Sequence, residues 1–396
     1  MQKLEAICFF LLLSLEAAAQ APLYSECQGC WSADSLGNHR VAVRYRGVEG
    51  GVAHVIISWR RRDTQPESKR IIVQDSATEA RVMNVALRSI TRETGDILFE
   101  PVSGKGTYYV YYMPYHNEGR SNYPKVVYWR QDTTASAGWM QRVGREAAGD
   151  RAAARSYAGG GTGKERGDWP VNTIVTGFQA IDTFNSFYPM EVTATARETA
   201  VLVGRYEGAP FLVFPEDRRY PIRMRRDLPF RWIQTGPGRS LEGAADQGEF
   251  YAYQLGIYAL RPLHEVEVTF RPLVRAGGAT IPVSAMTCLN TGGVDYEGKP
   301  FVRTVAVPKG DVQPLWCIIH VPVAGAGTYT GTVQVKAGGL SRSIPIRLEV
   351  SGKLSVDGGV GHPAKMTRLQ WLNSTLAQEN TVIAPYTPLE IVGDTL

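Results

Sequence analysis

Short β-type runs recurring between turn signals across residues 248–350 constrain this chain more than any other feature. They begin with GEFYAYQLGIYALRP (248–262) and VEVTFRPLV (266–274). IPVSAMTC (281–288), PFVRTVAVP (300–308) and VQPLWCIIHVP (312–322) follow, then GTYTGTVQVKAGG (327–339) and SRSIPIRLEVSG (341–352). Tyr329, Gly331, Val333 and Val335 alternate with Thr328, Thr330, Thr332 and Gln334. Side chains of an extended chain point to opposite faces with period two, so one set faces inward and the other outward. Strands of this kind at roughly 8–12-residue spacing predict a β-sandwich of immunoglobulin-like size. Such a module usually presents or positions something, and spacing alone assigns it no reaction.

A second β-rich region spans about 31–129. HRVAVRY (39–45), VAHVIISW (52–59), RIIVQD (70–75), DILFEP (96–101) and GTYYVYYMPY (106–115) read as strands, punctuated by GVEGG (47–51) and SGKG (103–106). In TYYVYYMP both parities are bulky, which predicts a strand covered on both faces. Tyr109, Tyr111 and Tyr115 carry amphipathic rings that pack in cores or stack on sugars, and core packing is the ordinary use of strand aromatics. His116 and Asn117 come just past the strand, where connections reach the surface, and are candidate ligand contacts with Tyr111 and Tyr115.

Between these regions the composition changes twice. Residues 141–169 are rich in Ala, Gly and charge and poor in large apolar residues, predicting a flexible linker or insertion within 136–172. Then 173–238 reads as a mixed connecting segment. It has strand-like TIVTGFQAI (173–181), a short helix over ATARETAVLV (194–203), and a strand and turn in FLVFPEDRRYPIRM (211–224). Asp182, Asn185, Glu216 and Asp217 are polar positions among its aromatics; capping and turn hydrogen bonds are their plainer role, ligand contact the sharper one. The expected architecture is mainly β. Two immunoglobulin-like β-sandwich domains, 23–135 and 239–352, are joined by the partly helical 173–238 and followed by an extension, 353–396.

The N-terminus bears on compartment. Lys3 precedes the apolar run AICFFLLLSL (6–15), and Ala17, Ala18 and Ala19 follow, the pattern of a secretory signal (1–19) cleaved near Ala19–Gln20. The apolar run falls short of the about 20 residues a spanning helix needs. The expectation is an exported protein, extracellular or periplasmic, with no membrane span after cleavage. The 19 Tyr, 8 Trp, 41 Gly and 23 Pro agree with a loop-rich β fold. The net charge of +5 is spread along the chain, and the runs Arg60–Arg62 and Arg223–Arg226 sit beside Asp63 and Asp227, so nucleic acid is not an expected partner.

Five cysteines fall to four once Cys8 leaves with the signal. Cys27 and Cys30 have C-x-x-C spacing without a strand–helix redox context or a second pair for zinc, which favours a local disulfide over free thiols or a metal contact. Cys288 and Cys317 lie on or next to separate strands and either bridge or stay buried as thiols. Asn373-Ser374-Thr375 is an N-glycosylation sequon.

The sequence carries no H-E-x-x-H, P-loop, GxSxG or GxGxxG, and its six histidines lack metal-ligand spacing; no cofactor or metal is expected. Glycosidases need two carboxyl groups across one sugar, or one acid plus the substrate's acetamido group. Glu216-Asp217 is the only adjacent acidic pair, and no Asp-Glu dipeptide occurs.

Several phrases carry a resemblance: GEFYAYQLGIYA, IPVSAMTCLNTGGVDYEGKPF and VPKGDVQPLWCIIHVP in the 248–350 region, with GNHRVAVR (37–44), ISWRRRDTQPESKRIIV (57–73), AIDTFNSFYPMEV (180–192) and FPEDRRYPIRMRRDLPFRWI (214–233) elsewhere. The chain resembles the N-terminal β-sandwich region of family-123-type glycoside hydrolases, closest to large bacterial relatives. The resemblance implies an accessory sandwich before a (β/α)8 barrel, and a retaining exo-β-N-acetylgalactosaminidase assisted by the substrate's acetamido oxygen. It also implies an adjacent Asp-Glu pair, in which Asp orients the acetamido group and Glu is the acid/base. This chain has neither that pair nor barrel-like strand–helix alternation, so no catalytic residue transfers. Three readings follow. One is the non-catalytic N-terminal region of a secreted glycosidase-like protein, with a C-terminal barrel and carbohydrate as partners. The second is a stand-alone carbohydrate-binding or cell-surface protein, and the third a small complete hydrolase.

Overall fold

The computed structural model describes residues 23–144, 170–323, 325–375, 381–390 and 393. The expected signal segment, 1–19, lies outside them. The chain is mainly β and divides into two compact units. The first comprises residues up to Trp59 and Asp63–Phe187; the second comprises Arg60–Arg62 and Tyr188 onward.

In the first unit, His39–Tyr45 shows why its sequence makes a strand. Val41, Val43 and Tyr45 alternate with residues on the opposite face and are 0–1% exposed. This strand pairs antiparallel with Gly106–Tyr112, which pairs onward with Ile71–Asp75. A three-stranded sheet, Ala53–Ile57, Gly95–Phe99 and Val85–Ile90, shares the core with it through Val55, Ile57, Ile97 and Phe99. Thr173–Ala180, expected in the connecting segment, instead pairs with His39–Tyr45 on one side and Leu23–Glu26 on the other. A partner more than a hundred residues away is not visible in local pattern. Residues 137–144, expected in the linker, are helical, and Trp139 and Val143 pack on Val52 and Leu98. The Gly/Ala-rich remainder, 145–169, lies outside the described residues.

The second unit holds a four-stranded sheet ordered Phe211–Asp217, Phe250–Ala259, Val312–His320 and Met286–Cys288. Facing it is a larger sheet built on the long hairpin Gly327–Ala337/Leu340–Leu354. Tyr329, Val333 and Val335 point into the common core with Leu255, Ile257, Leu315 and Cys317, as period-two alternation requires. Phe211–Asp217 reads as a continuous apolar run because both its faces are covered. Phe211 and Val213 enter the sheet-to-sheet core, while Leu212 and Phe214 enter a second cluster with Met190, Leu202 and Trp232. That second layer comes from two helices, Ala196–Arg205 and Phe230–Thr235. The first is capped reciprocally by Thr195 and Glu198. Glu198 also takes a bidentate Arg60 (2.6 and 2.7 Å), and Arg62 pairs with Glu191 at 3.0 Å, so ion pairs occupy these members of the basic run.

Trp232 reaches the sheet because strand residue Gly256 has no side chain. A Cβ there would lie 2.5 Å from the indole ring. Trp232 then stacks on Phe214 with centroids 4.3 Å apart and planes 2° apart. Part of the 353–396 extension folds onto this unit, with Thr367 only 1% exposed at the head of the 3₁₀ turn Thr367–Asn373.

Candidate functional site

Glu216 and Asp217 end the strand Phe211–Asp217, and neighbouring strand residues leave on opposite faces. Glu216 points toward the helical layer, where its Oε1 accepts from Trp232 Nε1 (2.8 Å) and Arg231 Nε (3.2 Å). Asp217 points the other way. Its Oδ2 accepts from Tyr251 Oη (2.8 Å), and its Oδ1 accepts from Arg219 Nε (2.6 Å) and the Arg219 N–H (3.1 Å). Both carboxylates are nearly buried, at 4% and 8% exposed. Burial pushes the Glu216 carboxyl above its ordinary value, opposed by Arg231 and the indole N–H. Burial and the Asp217 charge push the Tyr251 phenol well up. The two acids line a cavity of about 140 Å³ with Arg219, Arg231 and Arg239.

Two carboxyls on opposite faces of a strand, each already hydrogen-bonded, make neither a facing pair across one sugar nor a free acid beside an acetamido group. Their chemistry here is to anchor a helix on one side and a tyrosine on the other.

The candidates of the first unit meet in part. Tyr115 Oη donates to Asn38 Oδ1 (3.2 Å), Asn38 Nδ2 donates to Asn185 Oδ1 (2.8 Å), and Asn185 Nδ2 donates to Asp182 Oδ1 (2.8 Å). His39 Nε2 donates to the Asn185 carbonyl at 2.7 Å. The Asn185 N–H and amide hold the Asp182 carboxyl below its ordinary value. This chain of bonds rigidifies the loop that carries Phe184, which is 95% exposed. Asn38 links the candidates, a role that no short-range pattern signals.

Tyr111 does not join them. It is 1% exposed and its hydroxyl accepts from Arg40 Nη1 (3.0 Å), so its ring offers no face to a ligand. Arg40 is itself buried, between the Trp31 ring (4.4 Å) and the Tyr109 ring (3.6 Å), with Nε on Gln179 Oε1 (2.7 Å). An arginine filling the outer face of the strand explains why its tyrosines are core and not platform. His116 packs at a tilt against Trp129 (4.5 Å between centroids) and donates to Glu118 (2.9 Å), and Asn117 is exposed beside it on the hairpin Tyr115–Arg120/Tyr123–Tyr128.

Cys27 and Cys30 are disulfide-bonded. Cys288 and Cys317 are buried thiols directly opposite one another on adjacent strands. A hydrogen bond from Cys317 holds the Cys288 thiol down to about 7, and burial pushes Cys317 up. Asn373, of the sequon, ends the 3₁₀ turn with its Oδ1 packed near Gly293. Among the described residues no group of three His, Cys, Asp or Glu is placed to hold a metal ion, and no helix is long and apolar enough to cross a membrane.

Sequence reasoning missed the most buried charge of the second unit. Glu249 is 0% exposed. Its Oε1 takes Arg218, and its Oε2 takes Lys365 Nζ (2.8 Å) and the Asp246 N–H (2.9 Å). Lys365 also reaches Asp246 Oδ2 (2.7 Å), which ties the 353–396 extension to the sheets. Nothing in the run QGEFY distinguishes this glutamate from a solvated turn residue.

Residues 29–158 match the family model described as glycoside hydrolase 123, N-terminal domain. No curated protein matches the chain. Among solved structures, a family 123 glycoside hydrolase from Clostridium perfringens overlaps 37% of this chain at 14% identity and a TM-score of 0.29. This chain spans 28% of that protein's length. The PapD-like domain 7 of human CEP192 (13% identity, 29% of this chain and 84% of that one, TM-score 0.21) overlaps to a similar degree. So does the fimbrial subunit MyfA of Yersinia enterocolitica (13%, 28% and 91%, TM-score 0.21). These overlaps are too partial to argue from, and the family match alone carries the relation. Through residues 29–158 the chain is similar to the N-terminal domain of the glycoside hydrolase 123 family.

Proposed function

We propose that this chain is the non-catalytic accessory region of a secreted glycoside-hydrolase-like protein acting on N-acetylhexosaminide-type glycans. Its β units support a catalytic barrel and contact carbohydrate. The observation that carries the reading is the engagement of Glu216 and Asp217 on opposite faces of one strand, by Trp232 and Arg231 and by Tyr251 and Arg219. A general acid must be free to reach a leaving-group oxygen, and these two hold the fold together instead. The match of residues 29–158 to an N-terminal domain, and not a catalytic one, supports the same role. Export is supported by the apolar run 6–15 with its Ala17–Ala19 flank, and by the Cys27–Cys30 bridge, which suits an oxidising compartment.

The test is mass-spectrometric detection of free sugar after incubation with β-N-acetylgalactosaminide and β-N-acetylglucosaminide oligosaccharides. No release is expected. Release that Glu216→Gln or Asp217→Asn abolishes without unfolding the protein overturns the proposal.

A further inference from the structure

The outer face of the four-stranded sheet in the second unit is only partly covered by the helical layer around Trp232. At its other end Phe250, Thr287 and His320 project outward, and Gln370, Trp371 and Asn373 of the 3₁₀ turn stand beside them. A cavity of about 430 Å³ lies between these two sets, within the size range of small-molecule sites. Two features separate it from the other clefts of this unit. Among the described residues that line it, none is an Asp, Glu, Lys or Arg. The cavity beside Glu216, by contrast, is ringed by arginines and acids.

Its second feature is a set of flat rings held in place. Phe250 and His320 are stacked with centroids 4.3 Å apart and planes 10° apart. Gly358 backs Phe250 from behind: its φ is +64°, and a Cβ there would lie 2.5 Å from the ring. Phe250 is thereby pinned, and the exposed His320 ring carries the stack outward. Trp371 adds another lining ring, 53% exposed, with the Arg368 guanidinium 5.9 Å from its centroid.

Exposed ring faces, one of them held by the Phe250 stack, set among uncharged amides and hydroxyls match a ligand with one C–H face and a rim of hydroxyl groups. No described lining residue carries a formal charge, so a phosphate, uronate or metal cation would find no counter-charge in the lining itself, Arg368 lying 5.9 Å from the Trp371 centroid and outside the lining. We infer that this cleft binds a neutral pyranose sugar. The sugar stacks on Trp371 and His320, and the Gln370 and Asn373 amides and the Thr287 hydroxyl meet its hydroxyl or acetamido groups. The inference rests on the accessory reading only for the choice of N-acetylhexosamines as first probes.

The experiment is a titration of the full chain with N-acetylgalactosamine, N-acetylglucosamine, galactose and glucuronate, followed by tryptophan fluorescence and by saturation-transfer NMR on the sugar. At least one neutral sugar is expected to saturate a single site. Trp371→Ala is expected to weaken it about tenfold or more, the size of one lost stacking contact. Thr287→Val, which keeps the shape and removes one hydroxyl, weakens it less, and thermal melting confirms that both variants are folded. Saturation by none of the neutral sugars overturns the inference, as does preference for glucuronate or binding that both variants leave unchanged. None of these outcomes touches the accessory role, which only sugar release overturns.

Discussion

Replacing Glu249 with Gln tests whether the buried charges of the second unit act as one network. The substitution keeps volume and one acceptor oxygen; it removes the charge and turns the oxygen facing Arg218 into a donor. Arg218 and Glu249 are 11% and 0% exposed, and Lys365 and Asp246 are 23% and 27% exposed. The gross attraction at 2.8 Å is about 6 kcal/mol at an effective dielectric of about 20, and desolvation offsets much of it. Removing one partner of a buried pair costs about 3–5 kcal/mol, because the remaining charge stays buried. Lys365 retains Asp246 and the Gln oxygen still accepts the Asp246 N–H, so the lower end, about 3 kcal/mol, is expected. In a unit of this size that lowers Tm by about 6–12 °C, read by circular dichroism at pH 7.

The loss should hold steady across neutral pH. Lys365 hydrogen bonds hold the Asp246 carboxyl below its ordinary value, so its contribution is complete above the unfolded carboxylate range and is lost as pH falls through the folded value. Burial lowers the Lys365 pKa, but the bonds to Asp246 and Glu249 override it and raise the group. Its contribution is therefore complete below the unfolded lysine range and lost only as pH rises through the folded value. The two windows overlap from about pH 5 to 10. A Tm drop under about 2 °C at pH 7 refutes the reasoning, since it means the buried carboxylate stabilises nothing.

Trp232→Phe keeps the stack on Phe214 but deletes the donor to Glu216, and is expected to cost about 1–3 kcal/mol in chemical unfolding. Its penalty should shrink on acidification, because Glu216, raised by burial, takes up a proton more readily than a free carboxyl. Gly256→Ala drives a methyl into the same indole and should cost about 1–3 kcal/mol, whereas Gly204→Ala, with open space around it, should not destabilise. Arg40→Met removes a buried cation from between Trp31 and Tyr109 and strands the Tyr111 and Gln179 partners. A loss of about 2–4 kcal/mol in the first unit is expected, measured by urea unfolding.

Period and punctuation carried the strand content of this chain. Alternation at Tyr329, Val333 and Val335 named residues that are fully buried, and the double-sided bulk of TYYVYYM named a strand covered on both faces. These are local properties, set by the two-residue repeat of extended backbone, and one sequence contains them. Partnership is different. That Thr173–Ala180 enters the first sheet, that Arg40 rather than solvent meets Tyr111, and that Lys365 closes on Glu249 116 residues away are consequences of closing long loops. Their cost in chain entropy is repaid only by contacts that form once the whole core is in place. The same holds for function. The polar type of Glu216 and Asp217 was legible from the chain, but their commitment to opposite faces was decided by the packing of Trp232 and Tyr251 around one strand.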